Sequence, residues 1–355
     1  MKLYIALLCA MAWCHVYSQN DTLFAIRDTV RLEEVVFSGQ IPLNNTVLAK
    51  HYQKSGFSSI DKINSRLPGV SLIKRGGYAY EPQIHGFSAG QVNISIDGMR
   101  MFGACTDKMD PVTSYVEPSN LKRLDIKHNA DAAEYGNLIG GSLDMQLQEP
   151  FLNQYHVLDF SVGSSYNTLS KGHNSLADIN VSGARTAFRL NGAYRKHNSY
   201  RNGQGEEVPF SQYEKANLHL SALTMLSKGN SLKADMLADI AKDVGYASLP
   251  MDVGMARAKL ASLEWRKYSV KGMFNNSQLK AYINSIYHLM DDSRRDSLFI
   301  VNNKQAAADS VFMRMHMPGW SNTYGAYFTT NLLWLKKNEL KIKIENYYNL
   351  ARGRK

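Results

Sequence analysis

Cys105 and Met109 are the two residues of this chain whose types and spacing most directly suggest chemistry. They lie four apart within 98–118, GMRMFGACTDKMDPVTSYVEP. A thiol and a thioether at that spacing point the same way if the loop makes one helical turn. Both are soft sulfur donors, and soft sulfur favours Cu(I) among the common biological metals. Of the three cysteines, Cys9 and Cys14 fall in an apolar N-terminal leader, so Cys105 would be the one thiol of a mature chain. A lone thiol in an oxidising compartment has no internal disulfide partner, which leaves a reactive, metal-binding or inert buried cysteine. A second group, Met313, Met315, His316 and Met317, falls within five residues of what reads as a long loop. It would collect the same soft metal, or pack the loop against its neighbours. Met99 and Met101 flank the first group as supporting or packing residues.

The composition narrows the classes. The chain has 355 residues, 44% hydrophobic and 20% charged, which is enough for two or more folded domains and too apolar for a disordered chain. The net charge of +10 comes without a basic helix or zinc-finger spacing, so it reads as lysine and arginine on loops and turns, with no nucleic-acid partner. No carboxylate pair, nucleophile elbow or triad spacing points to an enzyme.

The elements that would position these residues follow in order. Residues 1–19 read as a secretory signal peptide: Lys2, an apolar run over 3–13, and a small-residue cleavage pattern at 16–18. That run is too short to cross a bilayer as a helix, and no later stretch is apolar enough. Residues 20–45 form a linker with a short extended segment, Leu32, Glu33, Glu34, Val35 and Val36, of the kind that adds to a partner's sheet edge. Residues 46–150 read as a compact α+β unit. Ser59 caps a short helix carrying Ile60, Ile63 and Leu67, and Pro68-Gly69 stops it. Strands follow from Val70, over 92–97 with an Asp97-Gly98 turn, over 121–126 and over 142–147. The glycine-rich run 135–141 lacks the lysine and Ser/Thr of a phosphate loop.

Beyond Pro150 the chain becomes about nine alternating segments, near 157–166, 174–183, 186–196, 212–226, 231–241, 254–267, 278–290, 320–336 and 339–350. Their connections tend to alternate between short (near Gly183, Lys228-Gly229 and Lys337) and long (197–211, 242–253 and 291–319). Alternation, aromatic-rich strands and one short side against one long side predict a membrane all-β fold, part of an antiparallel transmembrane barrel over 151–355. A soluble β-sandwich is the competing fold.

The pieces between Arg31 and Pro150 resemble the plug of TonB-dependent outer-membrane receptors. Leu32–Gly39 is similar to the TonB-box region, and 67–70 (LPGV), 84–87 (IHGF), 92–98 and 135–141 match plug motifs in order and spacing, with His85 where arginine is more usual. A narrower resemblance is to the TonB-dependent copper receptors, which carry Cys-x-x-x-Met in the plug and His-x-Met on the barrel. Here these are Cys105 with Met109, and His288 with Met290. The resemblance implies a copper site of these four side chains. The alternation of 278–290 agrees, because Leu279, Ala281, Ile283, Tyr287 and Leu289 form an apolar face and Lys280, Tyr282, Asn284, His288 and Met290 a more polar, inward one. Zinc more often takes cysteine and histidine without methionine. The implied function is import of copper, the transported substrate, across the outer membrane of a Gram-negative bacterium. Its partners would be TonB, engaged by Leu32–Val36, and outer-membrane lipid. A receptor for an iron chelate (siderophore or haem) or another organic ligand is the alternative, and a secreted metal-buffering β-protein is a further one. Such receptors close a barrel of about twenty-two strands, so the sequence reads as a truncated or split frame.

Overall fold

The computed structural model describes residues 60–74, 76–88, 90–105, 108–127, 139–153, 157–269, 274–295, 316–334 and 338–353. The leader, Leu32–Val36, Ser59, Met313 and Met315 lie outside the described residues.

The plug region begins with helix α1 (Ile60–Asn64), whose Ile63 is fully buried together with Leu67 just beyond it. Strand β1 (Val70–Lys74) pairs antiparallel with β2 (Tyr80–Ile84). The second of these carries Pro82 and Glu81 and has no alternating pattern, so only its pairing identifies it as a strand; a two-stranded sheet accommodates the proline because every strand in it is an edge. The main plug sheet runs β4 (Met99–Arg100), β3 (Asn93–Ile96), β6 (Ser142–Leu147), β5 (Leu121–Lys127), with β3 and β6 parallel. Asp97 and Gly98, both in the left-handed region (φ 52° and 75°), make the two-residue turn that joins β3 to β4. The core gathers Ile63, Leu67, Ile96, Leu124, Leu143 and Met145. Met99 and Met101 are buried in that core.

All nine predicted segments after Pro150 are strands: β7 (Leu158–Asn167), β8 (Gly172–Ser182), β9 (Thr186–His197), β10 (Tyr213–Ser227), β11 (Asn230–Val244), β12 (Asp252–Lys267), β13 (Phe274–Asp291), β14 (His316–Trp334) and β15 (Asn338–Gly353). Each pairs antiparallel with its sequence neighbour in one nine-stranded sheet whose edges are β7 and β15. The strand β14 starts earlier than the alternation suggests, so His316 and Met317 belong to a strand and not to the loop assigned to them.

The burial of this sheet is inverted relative to a water-soluble protein. Lys215, Lys233, Lys280, Asn284 and His288 are buried, whereas Leu218, Met236, Leu263, Leu279 and Ile283 are exposed. A sandwich would bury the second set against another sheet. An apolar outer face over a polar inner one is the arrangement of a membrane barrel wall. Among the described residues no helix is long and apolar enough to cross a membrane, which says nothing of strands. The plug lies against the polar face, so Lys215, Lys233, Lys280 and His288 are buried by protein.

Candidate metal centre

Strand β13 organises the centre. From Lys280 to Met290 its even-numbered residues are all buried, Ile286 included, and they meet the plug segment that begins at Asp97. Lys280 Nζ donates to Asp97 Oδ2 at 2.6 Å. Tyr282 OH accepts from the Arg100 amide at 3.4 Å, and Asn284 Nδ2 donates to the Arg100 carbonyl at 2.8 Å. These contacts lay the plug segment that begins at Asp97 along the strand toward its long-loop end. Gly319 of β14, paired with His288, leaves the room this needs: a Cβ there would lie 2.6 Å from the Ala104 carbonyl oxygen.

At that end the four motif residues come together. Cys105 Sγ lies 3.6 Å from Met290 Sδ, although 185 positions separate them. Cys105, Met109 and Met290 share one buried cluster, and His288 is one rung away on the same strand face. Exposures are 7% for Cys105, 1% for Met109, 1% for His288 and 3% for Met290. The Lys108 amide donates to the Cys105 carbonyl at 3.3 Å with Lys108 in the left-handed region, and the Met109 amide points at Cys105 Sγ at 3.5 Å.

Four further residues, which no local pattern marks, complete the setting. Asp110 places Oδ1 2.9 Å from His288 Nδ1 and accepts a hydrogen bond from Tyr115 OH at 2.8 Å. One ligand atom each from Cys105, Asp110 and His288 lie within 4.8 Å of one another. Tyr246, in the loop between β11 and β12, donates from its hydroxyl to the Met109 carbonyl. Arg295, fully buried, holds that loop by donating to Asp252 at 2.9 Å and to the Tyr246 carbonyl at 3.0 Å. Burial first, and the nearby Asp110 carboxylate second, push the Tyr115 phenol well above its ordinary range, so it stays a donor.

Neither ring nitrogen of His288 makes a hydrogen bond of good geometry among the described residues, although Nδ1 lies close to the Asp110 carboxylate. A buried imidazole nitrogen left so carries a cost that a ligand would relieve. With a thiol and two thioethers beside it, the donor set suits a soft monovalent ion such as Cu(I). Of the second methionine-rich group, Met317 pairs with Met290 and packs half-buried against the sulfur cluster, as does Met251. His316, its neighbour, points to the opposite face and is exposed, so the two do not form one site.

A second contact zone lies nearer the short-turn end. Asp97 Oδ2 is held by Lys280 and by Lys233 at 3.0 Å, and these lysines are also paired with Glu264 at 3.2 Å and Asp235 at 3.1 Å. Burial alone would raise the Asp97 carboxyl, but the two ammonium groups outweigh it and hold it well below the usual carboxylate range. Glu117, nearer the long-loop end, is likewise clasped, by Arg195 and Lys215 on the sheet, and is held below its ordinary value against its own burial.

Comparisons with known proteins agree with this architecture. The model of the TonB-dependent receptor plug domain matches residues 41–142. No curated protein sequence matches the chain. Among solved structures, the copper transporter OprC superposes with a TM-score of 0.69 at 20% identity, over 88% of this chain and 46% of that one. The FrpB iron transporter of Neisseria meningitidis gives 0.67 at 13% identity, over 87% and 49%. The Serratia marcescens hemophore receptor HasR, solved with its hemophore and heme, gives 0.68 at 15%, over 83% and 43%. The chain therefore spans about half the length of the structures it resembles. Residues 41–142 are thus a plug domain of the TonB-dependent receptor kind, and the described chain shares the plug-and-barrel-wall fold of these structures.

Proposed function

We propose that this chain carries the cargo site of a TonB-dependent outer-membrane copper transporter. The observation that carries the reading is the 3.6 Å approach of Cys105 on the plug to Met290 on the barrel, beside the unpartnered nitrogen of His288. Copper would arrive from the long-loop end, where Met317 and Met251 are half-buried against the cluster, and be held by Cys105, Met109, His288 and Met290. Two of these ligands belong to the plug and two to the wall, so the ion would bridge them. Leu32–Val36 would engage TonB in the periplasm, and force applied there would move 97–110 off β13 and part the ligand pairs. The role is transport and not catalysis, after cleavage of a signal peptide and insertion into outer-membrane lipid. The resemblance of the fold to iron and haem receptors supports a second reading, a receptor for an iron chelate in which the sulfur residues only pack.

Metal content after copper loading separates the two. About one copper per chain in the wild type, lost in Cys105→Ala/Met109→Ala, is the expected result. Equal or negligible copper in both proteins would sink the copper reading and leave the chelate receptor.

A further inference from the structure

Strand β12 reverses the polarity of the wall partway along its length. Toward the short turns its inward residues, Ser262 and Glu264, are polar, and the outward Leu263 and Trp265 are apolar. Toward the long loops the order is opposite. Ala256, Ala258 and Leu260 are buried inward, and Arg257 and Lys259 stand exposed on the outer face. Among the described residues neither cation forms an ion pair. The register sets their neighbours: Arg257 is level with Tyr287 and Trp320, and Lys259 with Ser285 and Asn322. The Arg257 guanidinium lies 5.7 Å from the centre of the Tyr287 ring, which meets the Trp320 indole at 5.3 Å. Over the same three strands the next rows toward the short turns start at Ala261, Leu263 and Trp265. They hold only alanine, aliphatic and aromatic side chains.

A cation on the lipid-facing side of a membrane strand is costly at mid-depth and nearly free at the interface. Tryptophan and tyrosine collect at that same level. The two polar rows therefore mark the headgroup level on the long-loop side, which is the outer leaflet. We propose that Arg257 and Lys259 form a docking site for a phosphorylated glycolipid headgroup of that leaflet. The two side chains leave one face about 7 Å apart along the strand. Arginine grips phosphate oxygens through paired N–H donors, and lysine adds a point charge. Tyr287 braces the guanidinium from one side. Ser285 and Asn322 offer hydrogen bonds to the sugar hydroxyls, and the apolar rows below receive the acyl chains. Free phosphate has the same charge but nothing to lay on those rows, so the pair suits a lipid. The inference rests on the outer-membrane placement proposed above and is independent of the copper cargo.

The test uses the full chain in detergent micelles, with bound lipid counted by native mass spectrometry. The probes are a diphosphorylated glucosamine-disaccharide lipid and the same lipid with both phosphates removed, with inorganic phosphate as competitor. The wild type should retain the phosphorylated lipid and not the phosphate-free one. Arg257→Gln and Lys259→Gln should each weaken retention about 5-fold, and the double variant about 25-fold. Lys267→Gln, exposed on the same strand at the short-turn end, should bind as the wild type does. Equal retention by the double variant, or of the phosphate-free lipid, would overturn the site. Displacement of the lipid by an equal concentration of inorganic phosphate would overturn the lipid assignment and leave a site for a soluble anion. A chain that stays monodisperse in buffer without detergent would overturn the membrane placement and this inference with it.

Discussion

The plug is fastened to the inner face of the sheet at two places along one strand, β13, and the two fastenings have opposite chemistry. Toward the short turns, Lys280 and Lys233 grip Asp97 and are paired again with Glu264 and Asp235. Toward the long loops, Met290 and His288 face Cys105 and Asp110. The first is a set of formal charges that satisfy one another. The second is mostly neutral and polarizable, with a nitrogen that has no partner among the described residues. Buried charges must be paired to be tolerated, so a saturated ionic cluster is a joint and has no place for a ligand. Soft sulfur donors can be buried without partners at little cost, so they can wait for one.

Breaking one fastening at a time tests that division. The largest effect belongs to the sulfur centre: His288→Ala or Cys105→Ala should weaken Cu(I) binding by more than about 100-fold, beyond what loss of an outer partner costs, as read by chelator competition. The copper-free Cys105→Ala protein should unfold nearly as the wild type does, since truncating one small buried side chain costs only about 1 kcal/mol. Asp97→Asn should do the reverse. It leaves two buried lysines short of an anion and should lower stability in denaturant titrations by about 3–5 kcal/mol, while copper stoichiometry stays at one per chain.

Acid gives a graded version of the second experiment. The Asp97 and Glu117 carboxyls are held below their ordinary values by the lysines and arginine around them, despite burial, and Glu149 is held at about 2 by Arg266 and Lys233 against the same effect. Each folded value lies below the unfolded one, roughly 4. Their contribution is therefore complete above roughly pH 5 and is lost as pH falls through the folded values. Protease accessibility of the plug should rise over that acid range and stay flat from neutral pH down to it. The smallest effect is expected at Arg100, whose guanidinium meets Glu345 of β15 at 3.0 and 3.2 Å in a partly exposed pair. Glu345→Gln should cost about 1 kcal/mol or less in the same titration.

Much of this was legible from local pattern. Alternation located all nine sheet strands, because a wall with an apolar outer face and a polar inner one forces a period of two. The same alternation put His288 and Met290 on the inward face of β13, where they are. It failed where local and tertiary signals part. The strand β2 carries Pro82 and no alternation, and β14 begins within a methionine-rich stretch that looked like loop. Asp110 and Arg295 carry no local signal at all, since an aspartate before a proline reads as a turn residue and an arginine after a strand reads as a solvated end.

The sequence by itself determined the kinds of atoms available and the faces they occupy: the Cys105 thiol, methionines and a histidine at set spacings, and strands whose inner sides are polar. These are properties of neighbours in the chain, and steric and hydrophobic periodicity reads them directly. Only the tertiary structure decided which of these atoms meet. Cys105 reaches Met290 across 185 positions and Asp97 reaches Lys280 across 183. Both contacts depend on the register of β13 in the sheet and on where the plug seats against it. No spacing in the sequence encodes that distance, because it is set by packing one unit into another.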